Sequence, residues 1–64
     1  MTELTLDPNF DNADEFYARL LKSHEGLSKA DSDALNARLI LVLANHIGNL
    51  ATLDQAITIA KKRL

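Results

Sequence analysis

Residues 39–44 read LILVLA, an unbroken apolar run near the centre of a 64-residue chain. Helix signals lie on both sides of the run, because Ser28 can begin a helix as a capping residue and Gly48 can end one. The pattern predicts one helix over about residues 28–47. A helix that is apolar on every side is expected to be buried on every side, so this helix should form the hydrophobic spine of the fold.

A shorter helix is predicted before the spine, over about residues 12–25. Asn12 followed three positions later by Glu15 has the spacing of a capping box, and Gly26 tolerates the positive φ that often ends a helix. Residues 1–10 have no helical pattern. We expect them to form an extended arm that lays its apolar side chains over the helices.

A third helix is predicted over about residues 49–63. It can begin at Asn49 or at Thr52, because both residue types are favoured at the first position of a helix. Its apolar face consists of Leu53, Ala56, Ile57, Ala60 and Leu64, and its last turn holds Lys61, Lys62 and Arg63. Ile59 points away from this face, so it should be exposed or contact another molecule.

These elements predict an all-α fold. Residues 1–64 form a single domain, a small three-helix bundle with an extended N-terminal arm and the second helix at its centre. Short connections place sequential helices beside each other. Two short helices cannot cover every side of the central helix, so we expect a homodimer that buries the remaining surface. The alternative is that the arm covers this surface with Leu4, Leu6 and Phe10.

Composition limits the classes of protein that the chain can belong to. The net charge is -2 and the pI is about 5.5, which argues against general affinity for nucleic acid. The absence of cysteine excludes thiolate metal sites, and no apolar run approaches the ~20 residues of a membrane span. We therefore expect a cytoplasmic protein with no membrane partner. A folded chain of 7.1 kDa should expose roughly 4,000 Å² of surface.

No arrangement of residues indicates catalysis or a cofactor. Nucleophilic catalysis needs a serine or threonine beside a base, and Ser23, Ser28 and Ser32 are explained by helix caps or an exposed helix face. His24 and His46 lie on different predicted helices with no carboxylate arranged around either, so no metal site is expected. The sequence thus predicts a protein that is not an enzyme and needs no cofactor.

Polar residues beside the apolar run form a candidate interaction edge. Arg38 and Asn45 are seven positions apart and so share one side of the helix, and His46 follows directly. In a structural interpretation Arg38 pairs with a carboxylate, while Asn45 and His46 bond backbone groups, because buried polar groups need partners. In a functional interpretation Arg38 binds a carboxylate or phosphate of a ligand or protein partner.

A candidate apolar interface lies on the outer side of the second helix. It consists of Ile40, Ala44, Ile47 and, from the third helix, Ile59. Exposed apolar patches of this kind mark interaction sites. The leading expectation is therefore a non-catalytic helical interaction protein that self-associates or binds a protein partner.

A small DNA-binding regulator is one alternative, with the second and third helices as a helix-turn-helix. The third helix would be the recognition helix, which contacts DNA with its N-terminal residues. Asp54 lies in that half of the helix, where a negative charge would meet phosphate, while the basic residues lie at the opposite end. This pattern disfavours binding to nucleic acid.

Two strings of the sequence support a family resemblance. Residues 35–48 read LNARLILVLANHIG and residues 6–10 read LDPNF, with Phe16 and Tyr17 following. In these strings the chain resembles a family of short bacterial proteins known as a domain of unknown function, DUF2783. The resemblance covers nearly the whole chain and implies no activity. Through an association of that family's genes with flavin-dependent aromatic hydroxylation, it implies an accessory or ligand-binding subunit of such an oxidoreductase as a second alternative.

Overall fold

Three helices follow the arm in the computed structural model, which describes residues 4–62. Helix α1 spans Ala13–His24, α2 spans Lys29–Ile47 and α3 spans Leu50–Lys61, and residues 4–62 contain no strand. The predicted all-α class, with a central second helix and a non-helical arm, is confirmed. Residues 1–3 of the predicted arm, and Arg63 and Leu64 of the predicted third helix, lie outside the described residues.

Local sequence signals explain both ends of α2. The Ser28 hydroxyl accepts a hydrogen bond from the Asp31 backbone N–H at 3.1 Å, as expected of a capping residue. At the other end Gly48 has a φ of 73°, and its N–H donates to the Ala44 carbonyl at 2.8 Å. A left-handed conformation of this kind favours glycine, so α2 ends where the sequence predicts.

The predicted capping box at the start of α1 is wrong. Asn12 is itself left-handed, with φ 55° and ψ 50°, and its side chain makes no capping hydrogen bond. The Glu15 carboxylate instead accepts a hydrogen bond from Arg19 Nε at 2.9 Å, four residues further along the exposed side of α1. Asparagine adopts the left-handed conformation more readily than most residues, as well as the extended conformation of a capping residue. Its position before a helix therefore predicts a helix boundary but not a capping hydrogen bond.

Asn49 caps α3. Its side-chain oxygen accepts hydrogen bonds from the Thr52 backbone N–H at 2.9 Å and from the Thr52 hydroxyl at 3.0 Å. The alternative start of the helix at Thr52 is therefore wrong. With only 8% of its surface exposed, Thr52 is the one buried residue in the described part of the chain.

The central helix is not buried on every side, contrary to the prediction. Ile40, Leu41 and Val42 are 65%, 68% and 64% exposed, and no apolar side chain among residues 4–62 is buried. The chain exposes 5925 Å², whereas size scaling gives roughly 4,000 Å² for a folded chain of 7.1 kDa. The helices are well formed individually, but a single copy leaves most of their apolar faces uncovered.

The arm lies against α3. The Leu4 N–H donates to the Gln55 side-chain oxygen at 3.0 Å, and Leu4 and Leu6 line a shallow groove together with Ile59. The expectation that the arm covers the third side of α2 is wrong, because the middle of that helix stays exposed. In residues 4–62 no helix is long and apolar enough to cross a membrane.

Candidate functional site

The main feature of the surface is a groove between the C-terminal half of α2 and the length of α3. We call it the aliphatic groove. It is lined by Ile40, Leu43, Ala44 and Ile47 of α2 and by Leu50, Leu53, Asp54, Ala56, Ile57 and Ala60 of α3. Asp54 is the one charged residue among these, so the groove combines a large apolar surface with little polarity.

The connection between α2 and α3 explains how the groove forms. Only Gly48 and Asn49 separate the two helices, and the left-handed Gly48 turns the chain so that the helices lie next to each other. Small residues form the floor, where Ala44 and Ala56 are half-buried. Larger residues stand at the rim, with Leu50 74% exposed and Ile57 57% exposed. The result is a concave surface with protruding aliphatic edges.

Three of the four residues of the predicted apolar interface lie in this groove. Ile40, Ala44 and Ile47 line its α2 wall. Ile59 lies on the other side of α3, half-buried beside Leu4 of the arm. The arm of the same chain thus explains why an isoleucine points away from the main apolar face of α3.

Several groove residues were not singled out by the sequence argument. Leu43 and Leu50 are not among the residues of the predicted interface, and Ile59 is its one residue from α3. The available signal was the spacing of Leu50, Leu53, Ile57 and Ala60, which alternates by three and four positions as in helices that pair side by side.

The predicted interaction edge does not form one site. Arg38, in the middle of α2, lines a hollow beside the N-terminal half of that helix, where Leu27 and Leu35 provide apolar surface and Asp31 provides a negative charge. Asn45 and His46 are exposed near the end of the helix. No side-chain hydrogen bond or ion pair joins these three predicted residues to another residue of the described chain. The interpretation that they are buried and paired is wrong, because all three are exposed.

The Arg38 hollow has mixed electrostatics. The Arg38 guanidinium could bind a carboxylate in two-pronged fashion, since no ion pair occupies it. Asp31 lines the same hollow and would repel such an anion. The geometry therefore does not favour an acidic ligand at this position.

A polar cluster joins α1 to α2 through His24. The Nδ1 atom of His24 lies 2.9 Å from the Ser32 hydroxyl, and Nε2 lies 3.0 Å from the Asn36 side-chain oxygen. Because an amide oxygen can only accept, Nε2 donates to Asn36, while Nδ1 shares the second hydrogen bond with the Ser32 hydroxyl, which can donate or accept. Sequence reasoning missed this cluster, because the two helices contribute residues eight and twelve positions apart from His24.

In this cluster a serine contacts a histidine, and the histidine contacts an asparagine. The same order of contacts joins a catalytic nucleophile, its base and the group that orients the base. Acyl transfer also needs hydrogen-bond donors for the developing oxyanion. The Ser32 backbone N–H, the donor next to the hydroxyl, is already bonded to the Ser28 carbonyl at 2.9 Å. The two hydrogen bonds of the cluster link α1 to α2. No group of three or more histidine, cysteine or acidic residues among residues 4–62 could hold a metal ion.

The fold and the groove define a class: a small all-helical protein with an open apolar face. The chain belongs to the family described as "Protein of unknown function (DUF2783)", whose model matches residues 4–62. The resemblance seen in the sequence is thereby confirmed, and it brings no activity. No curated protein matches the chain. No solved structure matches it either.

Proposed function

We propose that the chain is a non-catalytic protein–protein interaction module that binds through the aliphatic groove. One observation carries the proposal: five of the thirteen large apolar side chains that are exposed in the described residues line this one groove, namely Ile40, Leu43, Ile47, Leu50 and Ile57. Monomeric proteins rarely expose contiguous apolar patches above a few hundred Å². The uncovered helix faces therefore need a partner in the functional state.

The lining of the groove favours a protein partner over a small molecule. Its volume of about 490 Å³ lies within the range of small-molecule sites, roughly 300–1,000 Å³. Such sites hold a few polar groups that orient the ligand, whereas the aliphatic groove offers only Asp54. Its length along α3 instead suits the apolar face of a helix, which inserts a row of side chains spaced by three and four positions.

The polar residues support a non-catalytic role. The His24 ring is engaged on both sides by Ser32 and Asn36, and Arg38 and His46 are exposed in the middle and in the last turn of α2. Within residues 4–62 no group of three or more histidine, cysteine or acidic side chains comes together. The cytoplasm is the proposed compartment, in agreement with a chain that lacks cysteine.

Site-specific cross-linking in the cells that make the protein tests this proposal. A photo-reactive phenylalanine derivative would replace Ile57 at the rim of the groove and, as the matched control, the exposed Ala18 of α1. We expect position 57 to give a discrete cross-linked product that position 18 does not give. The absence of any discrete product at position 57, or the same products from both positions, would contradict the proposal.

A further inference from the structure

We propose that the occupant of the aliphatic groove is a second copy of this chain. Its α3 lies antiparallel to α3 of the first copy, about a two-fold axis close to Ile57, and the C-terminal halves of both α2 helices flank the pair. This inference rests on the proposed function, because it names the partner of the same surface.

The amount of uncovered surface fits a second copy. The chain exposes about 1,900 Å² beyond the roughly 4,000 Å² expected for its mass. Obligate homodimers bury about 2,000–5,000 Å² in total, or roughly 1,000–2,500 Å² per chain. A transient partner of standard size would cover only about 800 Å² of each surface. Pairing of two identical chains covers the part of the excess that lies in the groove on both chains at once, whereas exposed apolar residues of the arm and α1, such as Phe10 and Tyr17, lie outside it.

The side-chain spacing on α3 fits helix pairing. Leu50, Leu53, Ile57 and Ala60 occupy the first and fourth positions of successive seven-residue repeats, and all four line the groove. Ile40, Leu43 and Ile47 continue the same spacing on α2. The half-buried Ala44 and Ala56 leave space at the floor, into which the protruding Ile57 of a second copy can insert. The same surface thus carries a protruding side chain, Ile57, and the space that can receive it, as a two-fold contact requires.

The charges beside the apolar row set the orientation. Asp54 and Lys61 are seven positions apart, so they lie on the same edge of α3. In an antiparallel pair the same edge of each helix meets, and an axis near residues 57 and 58 brings each Asp54 opposite the other copy's Lys61. In a parallel pair Asp54 and Lys61 would instead face positions 49 and 56 of the other copy, where Asn49 and Ala56 carry no charge. Charge complementarity therefore favours the antiparallel arrangement.

Sedimentation equilibrium of the full chain tests the inference. We expect twice the 7.1 kDa mass at concentrations from about 10 µM upward. Ile57→Glu should give the single-chain mass, because it buries a charge at the axis. Thr58→Glu is the matched control, since Thr58 is on the same helix but lines the groove of the arm. It should leave the dimer intact, with helix content followed by circular dichroism.

A charge exchange tests the orientation without disturbing the apolar surface. Asp54→Lys and Lys61→Asp should each weaken the dimer by roughly tenfold, because each turns both attractive pairs into repulsive ones. The double variant should return the dissociation constant to within about threefold of the original. A double variant that is as weak as the singles would overturn the antiparallel pairing.

The outcomes separate this inference from the proposed function. A wild-type chain that stays monomeric, or a dimer that Ile57→Glu leaves intact, overturns the second copy as the occupant. If position 57 then cross-links to a product of another mass, the groove is an interaction surface for a different protein and the proposed function stands. If position 57 gives no discrete product, both ideas fail.

Discussion

The imidazole of His24 links two helices that have few other polar contacts. It bonds Ser32 and Asn36 on α2 with its two ring nitrogens, at 2.9 and 3.0 Å. Both partners lie on the same side of α2, four positions apart, so the ring spans one helical turn. At this point the angle between α1 and α2 depends on directional hydrogen bonds as well as on apolar packing.

Replacement of His24 with alanine should lower the free energy of unfolding by about 1–2 kcal/mol, because two part-exposed hydrogen bonds are lost. Urea denaturation followed by circular dichroism at one fixed protein concentration measures the change. Lys22→Ala, at an exposed position two residues earlier, is the control and should change little. If the free energy of unfolding of His24→Ala equals that of Lys22→Ala within error, the cluster does not stabilise the fold.

Replacement of Arg38 with methionine should change the free energy of unfolding by less than about 0.5 kcal/mol, because Arg38 is exposed and has no ion pair. If Arg38 were buried and paired, the same substitution would lower the free energy of unfolding by about 3–5 kcal/mol. The same urea titration distinguishes the two. A loss of several kcal/mol would mean that Arg38 has a buried partner after all.

At the scale of the helices, the three N-termini use different chemistry. Ser28 and Asn49 cap α2 and α3 with side-chain oxygens, whereas Asn12 precedes α1 in a left-handed conformation and caps nothing. Asn49 accepts two hydrogen bonds from Thr52, the buried residue in the first turn of α3. The cap of α3 therefore also fixes the point at which α3 leaves α2.

Asn49→Ala should destabilise the protein by about 1–2 kcal/mol, since it removes a helix cap. Asn12→Gly should be neutral or slightly stabilising, because glycine adopts the left-handed conformation without strain. Thermal denaturation of both variants beside the wild type checks the contrast. Equal losses from the two substitutions would contradict the different roles assigned to these asparagines.

The local features of the helices could be read from the sequence, and the packing could not. The ends of α2 follow from Ser28 and Gly48, because capping and left-handed glycine are properties of a few neighbouring residues. Burial of residues 39–44 was predicted wrongly, since burial depends on which surfaces meet. The apolar run was correctly recognised as helical, but a single chain does not provide enough surface to cover it.

The candidate site shows the same limit. Ile40, Ala44 and Ile47 were predicted as an interface and do share a groove wall. Ile59 has the same chemistry but lies against Leu4 instead, a contact made by residues more than fifty positions apart in sequence. Periodicity shows which side of a helix is apolar. It does not show whether the arm or another molecule covers that side.

At the scale of the whole molecule, surface area is the decisive property. The chain exposes 5925 Å². Its principal extents are 37, 25 and 24 Å, so the molecule is elongated. An elongated shape with open apolar faces gives a large surface for its mass, and association reduces that surface without any change in the helices.

The melting temperature should rise with protein concentration, because association stabilises the folded chains but not the unfolded ones. For a dimer of two chains of this length, we expect the melting temperature to rise by about 5 °C for each tenfold increase in protein concentration. Circular dichroism melts over a hundredfold range of concentration measure the slope. Ile57→Glu should melt at a temperature independent of concentration, and a wild-type chain with no slope would argue against self-association.

The two-residue connection at Gly48 and Asn49 has a consequence for the order of events in folding. Both walls of the aliphatic groove come from consecutive helices, so the groove forms from residues that are near each other in sequence. Local structure of this kind forms quickly, within microseconds for a single helix and its turn. In the proposed dimer the slow step is then the encounter of two chains, so the rate at which full structure appears should increase with protein concentration.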